Sequence, residues 1–146
     1  MTALAGLQPN AQQTLALWHQ ALARDELSAL PDITSEQVVF RSPAVFTPFN
    51  GKQAFVFIIN TVFQILEDFR YHRQFASGDG TNAVLEFEAR IGDTSLKGID
   101  MIRFDADGRI AEFEVMIRPA NALALLAQKM GEKAGPGLAQ MRAAKA

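Results

Sequence analysis

The chain has 146 residues, 49% hydrophobic and 21% charged, which fits one globular domain with one core and excludes a disordered composition. It has no cysteine, so disulfides, thiolate metal sites and cysteine nucleophiles are excluded, and a reducing compartment suits it. A net charge of −2 with no basic patch argues against nucleic acid as a partner; an N-terminus without positive charge and the lack of any apolar run near ~20 residues argue against a signal peptide and a membrane span, so a cytoplasmic protein is expected.

Residues 11–28 predict an amphipathic helix, with Leu15, Trp18, His19 and Leu22 on one face and Asn10 as N-cap. Pro31 stops it, and residues 34–37 read as a turn or short helix. Val38, Val39 and Phe40 begin a strand that ends at Ser42-Pro43. Residues 43–50, with two prolines and no period, read as a loop. A second helix is expected from Gly51 to Asp68. At ~100° per residue, Phe55, Ile59, Val62 and Leu66 fall on one line, and Phe57 stands alone among polar residues as an exposed ring or a subunit contact.

From Phe69 the period changes to two. Phe69, Tyr71, Arg73 and Phe75 share one face of the first strand, and Leu85, Phe87, Ala89 and Ile91 one face of the next. Turns at Gly78-Asp79-Gly80, Gly92-Asp93 and Asp105–Gly108 separate four strands, the last two spanning 96–104 and 109–118, which is an antiparallel meander. Pro119 opens a C-terminal helix that Gly131 is expected to end, leaving 132–146 as a mobile tail behind one domain, residues 10–131. The class is α+β: helices covering one face of a curved, mainly antiparallel sheet, which leaves a cone with an apolar pocket.

Three stretches carry a resemblance. Val38-Val39-Phe40-Arg41-Ser42-Pro43 with Gly51-Lys52, then Gly98-Ile99-Asp100-Met101-Ile102-Arg103-Phe104, then Asp107-Gly108-Arg109-Ile110-Ala111-Glu112 occur in the order seen in the nuclear transport factor 2-like superfamily, and resemble its SnoaL-like and ketosteroid isomerase-like branch. The resemblance implies a cystatin-like cone with a curved mixed sheet. It also implies a small-molecule pocket protein without cofactor: an isomerase, dehydratase or cyclase acting on an apolar carbonyl compound, or a non-catalytic binding or interaction module of the same fold. Relatives pair through the convex sheet face, which implies a homodimer here.

Carried over by position, the isomerase's catalytic base falls on Ser42, its oxyanion tyrosine on Trp18 and its oxyanion aspartic acid on Asp100. The cyclases' acid falls on Val115 or, one residue away, Glu114. Only Asp100 keeps its chemistry, so ketosteroid isomerization as such is not expected.

Asp100 shares a strand face with Gly98, Ile102 and Phe104. If that face is concave, a carboxyl among Ile102, Phe104, Phe113 and Val115 has a raised pKa and can donate a hydrogen bond in its neutral form. If the face is outward, Asp100 is solvated or paired with Arg41 or Arg118. His19 is the second candidate, as a pocket base or as a core histidine with one hydrogen bond, and a His19–Asp100 pair would make a base and its orienter. The expected substrate-binding residues are Trp18, Ser42, Phe104, Phe113 and Val115. Two histidines 53 positions apart make no metal spacing, His72 reads as solvated, and no glycine-rich loop has the order that cradles phosphate.

Overall fold

The period-two segments fold as the alternation requires. The computed structural model describes residues 4–145, with side chains as far as Met141. Strands β3 (Glu67–Ala76), β4 (Asn82–Ile91), β5 (Thr94–Phe104) and β6 (Ile110–Arg118) form successive antiparallel pairs. Strand β1 (Thr34–Arg41) joins β6 in parallel, and the two-residue β2 (Phe49–Asn50) closes that edge, so the sheet order is β2-β1-β6-β5-β4-β3. This is the mixed, mainly antiparallel sheet of the α+β class expected.

Helices α1 (Pro9–Ala23) and α2 (Lys52–Ile65) lay their apolar stripes on the inward side of the sheet. Leu15 and Trp18 of α1 and Phe55, Ile58 and Ile59 of α2 join Leu85, Ile102 and Phe113 in one core. Glycine at position 98 helps bring the strands close. A Cβ there would collide with the Met116 carbonyl and reach 2.5 Å from the Phe87 ring.

Several boundaries differ from expectation, each for a local reason. Helix α1 starts at Pro9 with Gln8 as N-cap residue; Asn10 instead donates its side-chain amide to the Ala106 carbonyl at 2.9 Å, while Gln8 donates to the Asp79 carbonyl at 3.1 Å. The start of α1 is thus tied to two hairpin tips. The segment Leu27–Ile33 is a 3₁₀ helix that contains Pro31, and β1 begins at Thr34, whose buried hydroxyl donates to the Leu30 carbonyl at 2.7 Å. Helix α2 stops at Ile65, because Leu66 is extended and Asp68 takes a positive φ of 53° at the entry to β3.

Two further expectations are corrected. On β3 the inward face begins with Phe69 and Tyr71 but continues with Gln74 and Ala76, leaving Arg73 and Phe75 outside. Tyr71 pairs with Phe87 and Gln74 with Leu85, so three residues on β3 span two on β4: a bulge that flips the face. At the C-terminus, helix α3 (Ala120–Lys145) runs through Gly131, Gly135 and Pro136 rather than ending at Gly131 before a tail. Packing overrides the local breakers. Ala134 is fully buried, Leu138 and Met141 pack on the core, and Gly137 lies against the Phe57 ring, where a Cβ would be 2.8 Å from it. Phe57 is therefore the floor on which α3 rests, not an exposed ring. No helix among the described residues is long and apolar enough to cross a membrane.

Candidate functional site

Strand β5 alternates buried and outward residues along its length, and Asp100 falls on the buried side with Leu96, Gly98, Ile102 and Phe104. The carboxyl is 5% exposed and sits on the wall of a partly open cavity of about 50 Å³. The remaining wall is apolar apart from an indole: Trp18 from α1, Phe63 from α2, Phe69 and Phe87 from β3 and β4, Phe113, Val115 and Ile117 from β6. Val115 is the cross-strand partner of Asp100, so the position aligned with the cyclases' acid does face the chamber, while Glu114 pairs with Met101 on the other side of the sheet.

Asp100 is held by a tyrosine that the sequence reading did not single out. The Tyr71 hydroxyl lies 2.5 Å from Asp100 Oδ2, and the Trp18 indole nitrogen 3.0 Å from the Tyr71 oxygen. The direction of both bonds follows from the donor inventory. An indole N–H can only donate, so the tyrosine oxygen accepts from it and must turn its own proton to Asp100. The chain therefore reads Trp18 to Tyr71 to Asp100 Oδ2. A proton on Asp100 belongs on Oδ1, the oxygen that Tyr71 leaves free.

Burial favours that proton. Removing the carboxylate from water pushes the Asp100 pKa from an ordinary 3.8 up to about 7, against the opposing pull of the Tyr71 hydrogen bond. Burial and, after it, the neighbouring Asp100 charge push the Tyr71 phenol well above its ordinary range, so it stays a neutral donor. Near neutrality Asp100 thus exchanges between a neutral acid and a carboxylate, in a chamber that offers no other ionizable group among its lining residues.

His19 does not meet Asp100. One step along α1 from Trp18 turns the side chain by ~100°, and the imidazole packs edge-on against the Tyr71 ring, 5.2 Å between centroids, outside the chamber wall. Its Nε2 and the Gln74 Oε1 are both buried without a hydrogen bond. Burial lowers the His19 pKa, and the nearby Gln74 amide offsets this only in part. The expected base is therefore separated from the acid by Tyr71. Phe104 is also displaced from its expected role: it lies four residues from Asp100, ~13 Å along the strand, in the main core and not on the chamber wall. Trp18, Phe113 and Val115 do line the chamber. Ser42 lines a second cavity outside it, and its hydroxyl accepts from the Ala44 N–H at 3.0 Å, which makes it a strand-end turn residue. His72 is an outer-face residue beside Glu88 at 3.2 Å.

The outer face of the sheet is a lattice of charges. Glu86 accepts from Nε and Nη2 of Arg73 at 2.8 and 2.7 Å and lies 3.4 Å from Lys97; the Arg73 hydrogen bonds first, and Lys97 after them, hold its carboxyl down at about 2, and Glu112 sits between Arg41 and Arg103. Between these pairs Met101 and Met116 are exposed.

Comparison with known proteins agrees with this architecture. Residues 15–113 match the family model of the SnoaL-like domain. The chain is similar to a steroid delta-isomerase from Pseudomonas aeruginosa, at 52% identity over 91% of this chain and 97% of that one, with a TM-score of 0.87. It is also similar to a cystatin-like protein from Silicibacter pomeroyi, at 26% identity over 88% and 86% of the two chains with a TM-score of 0.78. An NTF2-like protein from Mesorhizobium loti shares the fold, at 18% identity over 77% and 98% with a TM-score of 0.67. No curated protein matches the sequence. With its conical α+β fold, its apolar chamber and a matching domain over two thirds of its length, the chain belongs to the SnoaL-like family of the nuclear transport factor 2-like superfamily.

Proposed function

We propose that the protein is a cofactor-free enzyme of the isomerase or lyase type that acts on an apolar carbonyl compound, with Asp100 as the group that meets the carbonyl oxygen. The observation that carries this is the setting of Asp100: a buried carboxyl with a pKa of about 7 in an otherwise apolar chamber, supported from behind by Tyr71 and Trp18. In its neutral form Asp100 donates from Oδ1 to the oxygen of a bound carbonyl and favours the charge that gathers there as a water at the open side of the chamber takes the proton of the adjacent C–H bond. Trp18, Phe113 and Val115 exclude water, which strengthens that hydrogen bond. The 52% identical relative whose name is steroid delta-isomerase supports carbonyl-directed proton transfer as the reaction class.

A second reading has its own support. No separate base lines the chamber, and His19 lies outside it, so the same constellation serves a protein that only binds a carbonyl compound or interacts through this fold. Hydrogen–deuterium exchange at the α-carbon of an apolar ketone, followed by proton NMR in deuterated buffer, separates the two. An enzyme accelerates exchange, and Asp100→Asn abolishes the acceleration. Binding without accelerated exchange would refute the catalytic reading and leave the binding one. For quaternary structure we propose a homodimer through the outer sheet face, because alternating Glu86, Lys97, Arg103 and Glu112 around exposed Met101 and Met116 is a surface that can complement a second copy of itself.

A further inference from the structure

The space beside Asp100 adjoins a second, larger one, and the two share five lining residues. The inner one, about 50 Å³, holds the carboxyl. The outer one, about 180 Å³, lies between α2, the loop after β1 and α3. Both are bounded by Phe40, Pro43, Ile58, Val62 and Leu126, the boundary that a ligand spanning the two would cross as a collar. The outer compartment has no ionizable lining residue, and its one side-chain hydroxyl is that of Ser42, which accepts from the Ala44 N–H.

Those volumes select a shape. A dry cavity of about 150 Å³ accepts a benzene ring, and a single water takes about 30 Å³ in the liquid. The inner compartment is about a third of the ring-sized cavity, so it takes two or three heavy atoms and excludes a six-membered ring. The outer compartment exceeds that size and takes an apolar body.

Resting on the reading that Asp100 meets the ligand's oxygen, we infer that the ligand class is open-chain: a straight-chain ketone or aldehyde. Its carbonyl lies within about two carbons of a narrow end, and its hydrocarbon tail passes the collar into the outer compartment. A carbonyl borne on a fused ring is too broad to bring its oxygen to Asp100. The inference thus separates this chain from the ring substrate in the name of its 52% identical relative.

Trp18 is the sole tryptophan and lines the inner compartment, so its fluorescence reports occupancy there directly. The probes are the 2-alkanones from 2-butanone to 2-decanone, with 2-decalone as a fused-ring ketone of the same carbon number. Each added methylene is expected to tighten binding about fourfold until the outer compartment is full, and 2-decanone to bind at least tenfold tighter than 2-decalone. Gly131→Leu places a side chain into the outer compartment from a position with open space around its Cβ, on a helix that gains propensity from the change. It is expected to flatten the chain-length dependence, weakening 2-decanone at least tenfold more than 2-butanone. Gly135→Leu, equally open, serves as the second variant.

A 2-decalone affinity equal to that of 2-decanone, or no dependence on chain length, overturns the inference. Chain-length dependence that survives with Asp100→Asn binding every ketone as well as wild type supports the two-compartment shape and refutes Asp100 as the oxygen's partner. No ketone binding up to the solubility limit overturns both.

Discussion

Replacing Asp100 with asparagine changes one quantity that packing alone cannot imitate: the slope of stability with pH. The folded-state pKa is raised from 3.8 to about 7. Below pH 3.8 the group is protonated in both states and adds no dependence. Between 3.8 and about 7 the folded state binds more protons than the unfolded chain, so stability falls as pH rises, by at most about 1.4 kcal/mol per pH unit. Above pH 7 the full penalty of a buried carboxylate is in place, about 4 kcal/mol for this shift. Asparagine keeps an oxygen to accept from Tyr71 and carries no charge. Whatever constant offset the substitution brings, the stability of Asp100→Asn minus that of wild type is expected to rise by about 4 kcal/mol between pH 4 and pH 8. Urea denaturation across that range measures it, and other titrating groups cancel in the difference. For a chain of this size the same change corresponds to a relative melting-temperature gain of roughly 8–16 °C. A difference that stays flat within about 1 kcal/mol would show that Asp100 is ionized or solvated in the folded protein, and the neutral-acid mechanism would fall with it.

The Tyr71 hydrogen bond lowers the Asp100 pKa, so Tyr71→Phe should raise it above about 7, measured by carbon-13 NMR titration of the carboxyl; an unchanged or lower midpoint would contradict the hydrogen-bond direction. Gly98→Ala should destabilize by about 1–3 kcal/mol or more, because the added carbon meets the Met116 carbonyl and the Phe87 ring; a melting temperature within 2 °C of wild type would show that the strands yield there. Met116→Glu puts a charge in the middle of the outer face and is expected to convert a dimer to a monomer in sedimentation velocity without lowering the melting temperature of the monomer; a dimer that persists places the interface elsewhere.

The fold was legible where one periodicity ran unbroken. The alternations on β4 and β5 put Leu85, Phe87, Ala89 and Ile91, and then Gly98, Asp100, Ile102 and Phe104, together on faces that the structure buries. It was illegible where tertiary packing reverses a local signal. Gly131, Gly135, Pro136 and Gly137 read as a helix stop and a loose tail, yet the absence of a side chain at Gly137 is what lets α3 settle on Phe57. The isolated Phe57 and the glycine-rich tail were two halves of one contact, separated by 80 positions. The β3 bulge belongs to the same kind: alternation places Phe75 with Tyr71, and only the pairing with β4 shows that an extra residue intervenes.

The site divides along the same line. Asp100 and Trp18 were accessible because each follows from its own element: an acid on an apolar strand face, an indole on an apolar helix face. Tyr71 was accessible only as a member of an alternation, because its role depends on register across three strands. Tyr71 pairs with Phe87, Phe87 with Gly98, and Asp100 lies two residues further along β5, so the hydroxyl reaches the carboxyl diagonally across β4. A side chain at position 98 would stand against the Phe87 ring and alter that approach, which links the glycine to the acid two residues later. The place of His19 follows from helix geometry. Trp18 and His19 are neighbours ~100° apart, and the larger ring takes the chamber. What remains for His19 is the far side of Tyr71, where its buried Nε2 faces Gln74 rather than any ligand. An imidazole there can influence the site only through the tyrosine. A pH dependence of catalysis with a midpoint near 7 should accordingly follow Asp100 and persist in His19→Ala; its disappearance in that variant would return the histidine to the proton-transfer path.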